Sequence, residues 1–444
     1  MKNYDIIVIG SGPSVASFLG SVQPQDKSIL VVDGGPFGGI CPNEGCEPKI
    51  FLEGTVKTVL TAKKLLGNGI SRPAKLDWSA LIKAKKRFID SFPEDVKKSY
   101  RAMGADILQG MANFVDNHTI QVDDQRFHGD KIVIATGQKP RQLNLPGSDN
   151  FLTSTDVFNL EELPKKIAII GSGYIGMEFA TIFLAAGAEV SIITQTKRPL
   201  EQFYSEHVDV LAKELERNGA KFYFEQGVQE FTDNHLKTQQ GLDLPVDMVL
   251  NATGRVPTID GLALNNTDIE YNSRGITTDK HLETSVLGVY AMGDIVDKKV
   301  PKLTSTAQFE GEYLGKFINN SELRTIDYPI ISSVAFTFPQ ISMAGIDVNT
   351  AKNDAKYKVE NYDLAKMAPE NFFYLGTADY EAKLTLVFDE NDRLVGISEV
   401  SQTAVDDVNN FVSIMGFGID GQTVRQKLIP NFPSLFYKLK GLIK

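Results

Sequence analysis

GGICPNEGCEPK, residues 38–49, holds both cysteines of a 444-residue chain, Cys41 and Cys46. Four residues separate them, among them Pro42 and Gly45, so the backbone can bend until the Cα atoms reach the roughly 5–6 Å a disulfide requires. Pro48 suits the first turn of a helix predicted over residues 50–66. That helix puts Cys46 near its amino end, where the positive dipole favours a thiolate. Three uses of such a pair stand side by side. A structural disulfide needs an oxidising compartment, and the opening MKNYDIIVIGSG has one lysine and a short apolar strand in place of an export signal. A metal site needs further soft ligands, and no other cysteine supplies them, so no metal is expected. A redox role is favoured by the Gly-rich, Pro-marked context and by what surrounds it.

Upstream, residues 4–9 form a buried-strand pattern that runs into Gly10, Ser11, Gly12 and Pro13 and then a helix of small residues. Such a turn aims bare backbone amides and a helix amino terminus at a pyrophosphate. Val15 stands where a third glycine is usual. A second strand, residues 28–32, ends at Asp33, placed to hydrogen-bond a ribose hydroxyl, although an acid at a strand end serves equally as a helix cap. Strand, glycines and acid together predict dinucleotide binding. A helical stretch over residues 78–103 follows, then short strands through 107–122 and a buried strand over 131–136 that closes at Ala135, Thr136 and Gly137.

The same unit then recurs. Residues 166–170 lead into Gly171, Gly173 and Gly176, with a helix through residue 186. Two mononucleotide folds about 160 residues apart imply two dinucleotides. At the next strand end, where an NAD-specific site places an acid, stand Thr194 and Gln195, with Lys197 and Arg198 close behind. No carboxylate there repels a 2′-phosphate, which favours NADPH and leaves NADH possible; the plain alternative is a pair of surface cations. Beyond residue 328 the pattern turns to strands at 333–338, 382–388 and 394–400. Ala404, Val408, Phe411, Val412 and Met415 then make one apolar stripe at helical spacing, read as core.

Taken in order, these motifs resemble the flavin-dependent pyridine nucleotide-disulfide oxidoreductases, the group containing glutathione reductase, lipoamide dehydrogenase and mercuric reductase. The resemblance implies an α/β fold with two Rossmann-like dinucleotide-binding domains and a carboxyl-terminal α+β dimerisation domain. Its boundaries are FAD-binding residues 1–148 and 258–326, NAD(P)H-binding residues 149–257 and dimer-interface residues 327–444. It also implies FAD in the first unit, a Cys41–Cys46 redox disulfide with Cys41 as interchange thiol and Cys46 facing the flavin, and a homodimer. Tyr174 matches the tyrosine over the flavin, and Glu178 the acid that pairs with the lysine after the cysteine motif, here Lys49. Gly254 ends the inserted domain as Gly137 ended the first half. Asp294 matches the acid on the ribityl chain, and Thr304 opens the segment whose helix amides meet the isoalloxazine.

One family motif is absent. Members that reduce glutathione-like disulfides carry His-Pro-Thr with a glutamate three residues later near the carboxyl end, and the matching stretch here has Phe432 and Tyr437 in those places. The five histidines, His118, His128, His207, His235 and His281, all lie outside the interface domain, and each is expected at the surface. Protonating a thiolate leaving group is worth roughly 10²–10⁴ in rate. Without an acid the suited substrates are strongly electrophilic sulfur or a thiophilic metal ion. Hypothiocyanous acid fits, and the chain also looks like the bacterial hypothiocyanous acid reductases. The alternatives are a glutathione-type disulfide reductase, a mercuric or other metal-ion reductase (disfavoured for mercury by the lack of a carboxyl-terminal cysteine pair), and a quinone reductase. A formal charge of -10 opposes nucleic-acid binding, and no apolar run approaches the ~20 residues of a membrane span, so a cytoplasmic enzyme is expected.

Overall fold

Successive residues of the strand Lys2–Ile9 face opposite sides of a sheet, and both sides are covered. Ile7 and Ile9 join a cluster with Leu30, Val32, Ile132 and Ile134, while Ile6 and Val8 join another with Ile29, Val31 and Val133. Coverage on both faces is the environment of a parallel sheet, and each such side chain contributes about 1.5–3 kcal/mol on burial. The computed structural model describes residues 1–22, 27–369 and 381–444. They form two units: Met1–Lys49, Lys83–Arg141 and Arg255–Asp327, and Ile50–Ile82, Gln142–Gly254 and Tyr328–Lys444.

In the first unit the parallel strands lie in the order Ala105–Gln109, Ile29–Asp33, Lys2–Ile9, Gln125–Ile134, Val289–Ala291. Ile6 sits opposite Ile29, and Ile9 opposite Ile134. The order reverses between Lys2–Ile9 and Gln125–Ile134, and a ligand crevice of an open α/β sheet forms at the carboxyl ends flanking such a switch. Gly10 lies there with φ +108°, and a Cβ on it would stand 2.3 Å from the Ala135 carbonyl oxygen. Only glycine fits that approach.

The second unit repeats the device on its own parallel sheet, ordered Lys221–Tyr223, Glu189–Ile193, Lys166–Ile170, Met248–Asn251. Gly171 takes φ +102°, and its Cβ would stand 2.4 Å from the Ala252 oxygen. The third glycine matters differently in the two repeats: a Cβ on Gly176 would meet the Gly171 oxygen at 2.1 Å, whereas Val15 is accommodated in the core of the first unit. An antiparallel five-stranded sheet completes the unit, in the order Ser332–Ala335, Gln340–Gly345, Leu394–Ser401, Lys383–Phe388, Lys358–Asp363. The stripe beginning at Ala404 lies on the helix Ala404–Gly416, with Ala404, Val408, Phe411 and Met415 buried.

Two helices depart from expectation. The stretch 78–103 is two helices, Trp78–Ile89 and Phe92–Ala102, because Pro93 lacks the N–H that a continuing helix needs and fits the start of a new one. The helix expected from residue 50 begins at Cys46 and runs to Lys64, with Pro48 inside its first turn.

Candidate active site

Cys41 lies on the short helix Ile40–Glu44, and Cys46 opens the helix Cys46–Lys64. Gly45 between them sits in a tight place, since its Cβ would come 3.0 Å from the Ile40 oxygen and 3.4 Å from the Cys41 Cα. Asn43 laces the loop by donating from Nδ2 to the carbonyls of Phe37 and Gly39, at 3.0 and 2.8 Å. Both cysteines are thiols here, Cys41 half-buried and Cys46 exposed. The Thr304 hydroxyl donates to the Cys41 sulfur at 3.3 Å and stands 3.5 Å from that of Cys46. Hydrogen bonding with Cys46, and then burial, pushes the Cys41 thiol up, while Thr304 pulls it the other way. The pair therefore carries one thiolate more readily than two. The sequence points Thr304 to the cofactor through its helix amides, and the structure adds its hydroxyl on the two sulfurs.

Ser11 ties this loop to the first glycine turn. Its hydroxyl donates to Asp33 Oδ2 at 2.5 Å and accepts from the Gly38 amide at 3.0 Å, and its carbonyl accepts from the buried Tyr100 hydroxyl at 2.8 Å. Asp33 also accepts from the Gly35 amide at 2.8 Å, yet burial holds its carboxyl above the usual range. Pro13 begins the helix Pro13–Ser21, with Gly12 at its cap. Thr136 fastens the Ala135–Gly137 turn by donating to the Thr258 carbonyl at 2.8 Å.

The second repeat has the same serine with a different partner. Ser172 donates to Thr194 at 3.1 Å, and Thr194 and Thr196 lie 2.8 Å apart. Both serines reach 22 residues forward, Ser11 to a carboxylate and Ser172 to a hydroxyl. Gln195 and Lys197 are exposed, while Arg198 is half-buried and donates to the Glu201 carbonyl at 2.9 Å. Gly173 caps the helix Tyr174–Ala186. Tyr174 packs edge-on against Phe203, with ring centroids 5.5 Å apart, and burial pushes its phenol up. Glu178 is buried and accepts from the Phe336 amide at 2.9 Å. Lys49 belongs to the first unit and Glu178 to the second.

The family model for pyridine nucleotide-disulphide oxidoreductases matches residues 4–311, more than half of the chain. The chain belongs to this family. It is 28% identical to the dihydrolipoyl dehydrogenase of Mycoplasma genitalium, over 93% of this chain and 92% of that one. It is 27% identical to the mercuric reductase of Staphylococcus aureus, over 96% and 80%, and 27% identical to the glutathione reductase of a Nostoc species, over 91% and 92%. In fold it is similar to the HOCl-induced flavoprotein disulfide reductase RclA from Escherichia coli, with TM-score 0.86, 22% identity and 99% of each chain covered.

Membership of the pyridine nucleotide-disulphide oxidoreductases makes the chain an oxidoreductase of mixed α/β fold and implies FAD and a pyridine nucleotide. The first unit fits FAD. Asp294 has a buried Oδ1 with no hydrogen-bond partner among the described residues, an acceptor suited to a polyol hydroxyl, and burial raises its carboxyl. The turn that presents it is pinned: the Gly293 amide donates to Glu310 at 2.7 Å, Glu310 pairs with Lys298 at 2.6 Å in the interior, and Lys302 donates to the Asp294 carbonyl at 2.9 Å. Gly254 precedes Arg255, a half-buried cation that feels Asp294, Glu44 and Cys46 and donates to the Gln138 carbonyl at 2.7 Å.

At the carboxyl end Phe432 is 69% exposed and Tyr437 39%, their rings 5.1 Å apart, and neither a histidine nor a carboxylate occupies the motif's two places. His207 corrects the surface expectation for the histidines. It is buried between the Ser398 hydroxyl at 2.9 Å and that of Thr385 at 3.1 Å, and burial lowers it to about 3, so it stays neutral. Among the described residues no grouping of His, Cys, Asp and Glu could hold a metal ion, and no helix is long and apolar enough to cross a membrane.

Proposed function

We propose that this chain is an FAD-dependent, NADPH-driven reductase whose Cys41–Cys46 pair reduces a small thiol-reactive oxidant, with hypothiocyanous acid the best-fitting substrate. Residues 1–148 and 258–326 hold FAD on a Rossmann-like fold, residues 149–257 hold NADPH on a second, and residues 327–444 form the dimerisation domain of a cytoplasmic homodimer. Bound FAD supplies a two-electron relay between nicotinamide and sulfur. Gly10, Gly12, Pro13 and Asp33 seat its adenosine diphosphate half, and Asp294 accepts from its ribityl chain. Gly171, Gly173 and Gly176 seat the second pyrophosphate, with Gln195, Lys197 and Arg198 toward the 2′-phosphate. Tyr174, Lys49 and Glu178 match the residues that the family places at its flavin, and those roles are assigned to them here.

The chemistry at sulfur follows from the thiols. The Cys41 thiolate attacks the sulfur of hypothiocyanous acid, and a bond to the SCN group forms as the hydroxyl leaves as water with a solvent proton. The Cys46 thiolate then attacks the Cys41 sulfur, the disulfide forms, and thiocyanate departs. Two electrons leave the cysteines and two enter the oxidant. Thiocyanate is a weak base and needs no acid on departure, and the observation that carries the choice of substrate is Phe432 and Tyr437 where thiol-disulfide reducers hold histidine and glutamate.

The test is NADPH consumption by wild type and Cys41→Ser with hypothiocyanous acid, glutathione disulfide, mercuric ion and a quinone. Hypothiocyanous acid should be fastest and should depend on Cys41. Turnover no faster than that of glutathione disulfide overturns the choice of substrate, and quinone turnover surviving in Cys41→Ser as the main activity overturns the dithiol route.

A further inference from the structure

Within the second unit two acids meet in the interior, and neither is among the candidate site residues. Glu399, on the strand Leu394–Ser401, is 0% exposed, and Asp407, on the helix Ala404–Gly416, is 4% exposed. Their side chains hydrogen-bond each other. Yet taken as two carboxylates, Glu399 Oε2 and Asp407 Oδ2 are both buried with no donor among the described residues. The neighbours that do donate are engaged elsewhere on the pair: the Ser401 hydroxyl reaches Glu399 Oε1, and Thr403 bonds the Asp407 carboxyl. Gln402, buried in the turn between the two elements, has its own Nε2 without a partner among the described residues, so its amide is not the missing donor.

Two acceptors in contact and no donor describe a place for a proton. We propose that Glu399 and Asp407 share one proton at neutral pH, and that this acid–carboxylate pair is a pH-responsive latch fastening the helix Ala404–Gly416 to the five-stranded sheet. The charges around it do not replace that proton. Across the sheet Glu399 lies opposite Ser342 and Leu384, neither of them charged. On the helix the neighbouring charge is Asp406, of the same sign. The Lys57 ammonium meets the Gln402 carbonyl at 3.4 Å rather than either carboxylate, and His207 contacts Ser398, whose side chain alternates to the opposite face from Glu399. Burial, then the charge of Asp407, pushes Glu399 up, and burial pushes Asp407 up.

The sign follows. The folded chain keeps a proton that the unfolded chain releases above about pH 4, so stability from the latch is full below that pH and is lost as pH rises through the native titration. The test is thermal unfolding of the full-length FAD-loaded protein between about pH 5.5 and about pH 8.5, with infrared detection of the protonated-carboxyl carbonyl stretch at neutral pH. Glu399→Gln keeps the shape and gives Asp407 an N–H donor. It should weaken the band relative to wild type, reduce the fall of Tm with pH by about half or more, and raise Tm at the alkaline end; Asp407→Asn should flatten the profile likewise. A pH slope unchanged in both variants, or a band as strong as that of wild type in both, overturns the proposal.

Discussion

At Thr304 one hydroxyl serves two sulfurs, and its removal is a clean probe of which of them bears charge. Thr304→Val keeps the shape of the side chain and takes away the donor to Cys41. A hydrogen bond to a charged group is worth about 1.5–3 kcal/mol when dry, less where solvent reaches, so alkylation of Cys41 in the reduced protein should slow by about threefold to tenfold at neutral pH and recover at higher pH. Cys46→Ser should act in the opposite sense. Hydrogen bonding to the Cys46 sulfur is the main cause of the upward push on Cys41, and the charge of Cys46 adds to it, so loss of that sulfur lowers the Cys41 titration and speeds alkylation at neutral pH. Iodoacetamide rates against pH, read by mass spectrometry at the Cys41 peptide, check both. A shift of the same sign in the two variants would contradict the division of labour at the pair.

At the scale of elements, the turn carrying Asp294 depends on a carboxylate that never reaches the crevice. Glu310, 0% exposed on the helix Thr304–Asn319, holds the Gly293 amide with one oxygen and Lys298 with the other. Glu310→Ala strands a buried ammonium and a backbone donor, which should cost about 3–5 kcal/mol in urea unfolding and weaken FAD retention. Glu310→Gln with Lys298→Met keeps an acceptor for Gly293 and removes both charges, so it should recover most of the loss. None of this was legible in the chain. Local periodicity made the strands and both glycine turns readable, because Ile6 to Ile9 and Gly10 announce themselves within a few residues. Thr304 on the sulfurs, Ser11 between Asp33 and Gly38, and Glu310 under Gly293 are contacts between distant positions, and residue type alone does not reveal them. The break of the helical stretch at Pro93 lay in the sequence and yielded to the apolar pattern around it. The burial of His207 is set by a sheet packed on its helix, not by its neighbours in the chain, so residue type alone points it to the surface.

Across the whole molecule the two repeats make an internal control for cofactor choice. Each has a serine in its glycine turn that reaches 22 residues ahead to the end of the second strand. In one the partner is Asp33, a carboxylate matched to free ribose hydroxyls; in the other it is Thr194, backed by Thr196 and followed by two cations. If that single exchange decides which nucleotide each half accepts, Thr194→Asp should convert the second repeat to the logic of the first. The new carboxylate would repel a 2′-phosphate and accept from a 2′-hydroxyl. kcat/KM for NADPH should fall about tenfold or more, a difference of at least ~1.4 kcal/mol, while that for NADH holds or rises. Arg198→Ala should lower only the NADPH value, mainly through KM, because it removes attraction without adding repulsion. Equal losses for both nucleotides in Thr194→Asp would mean that the threonine lies outside the ribose subsite. The preference would then rest on Lys197 and Arg198, and Arg198→Ala would remove only Arg198's share of the discrimination between NADPH and NADH.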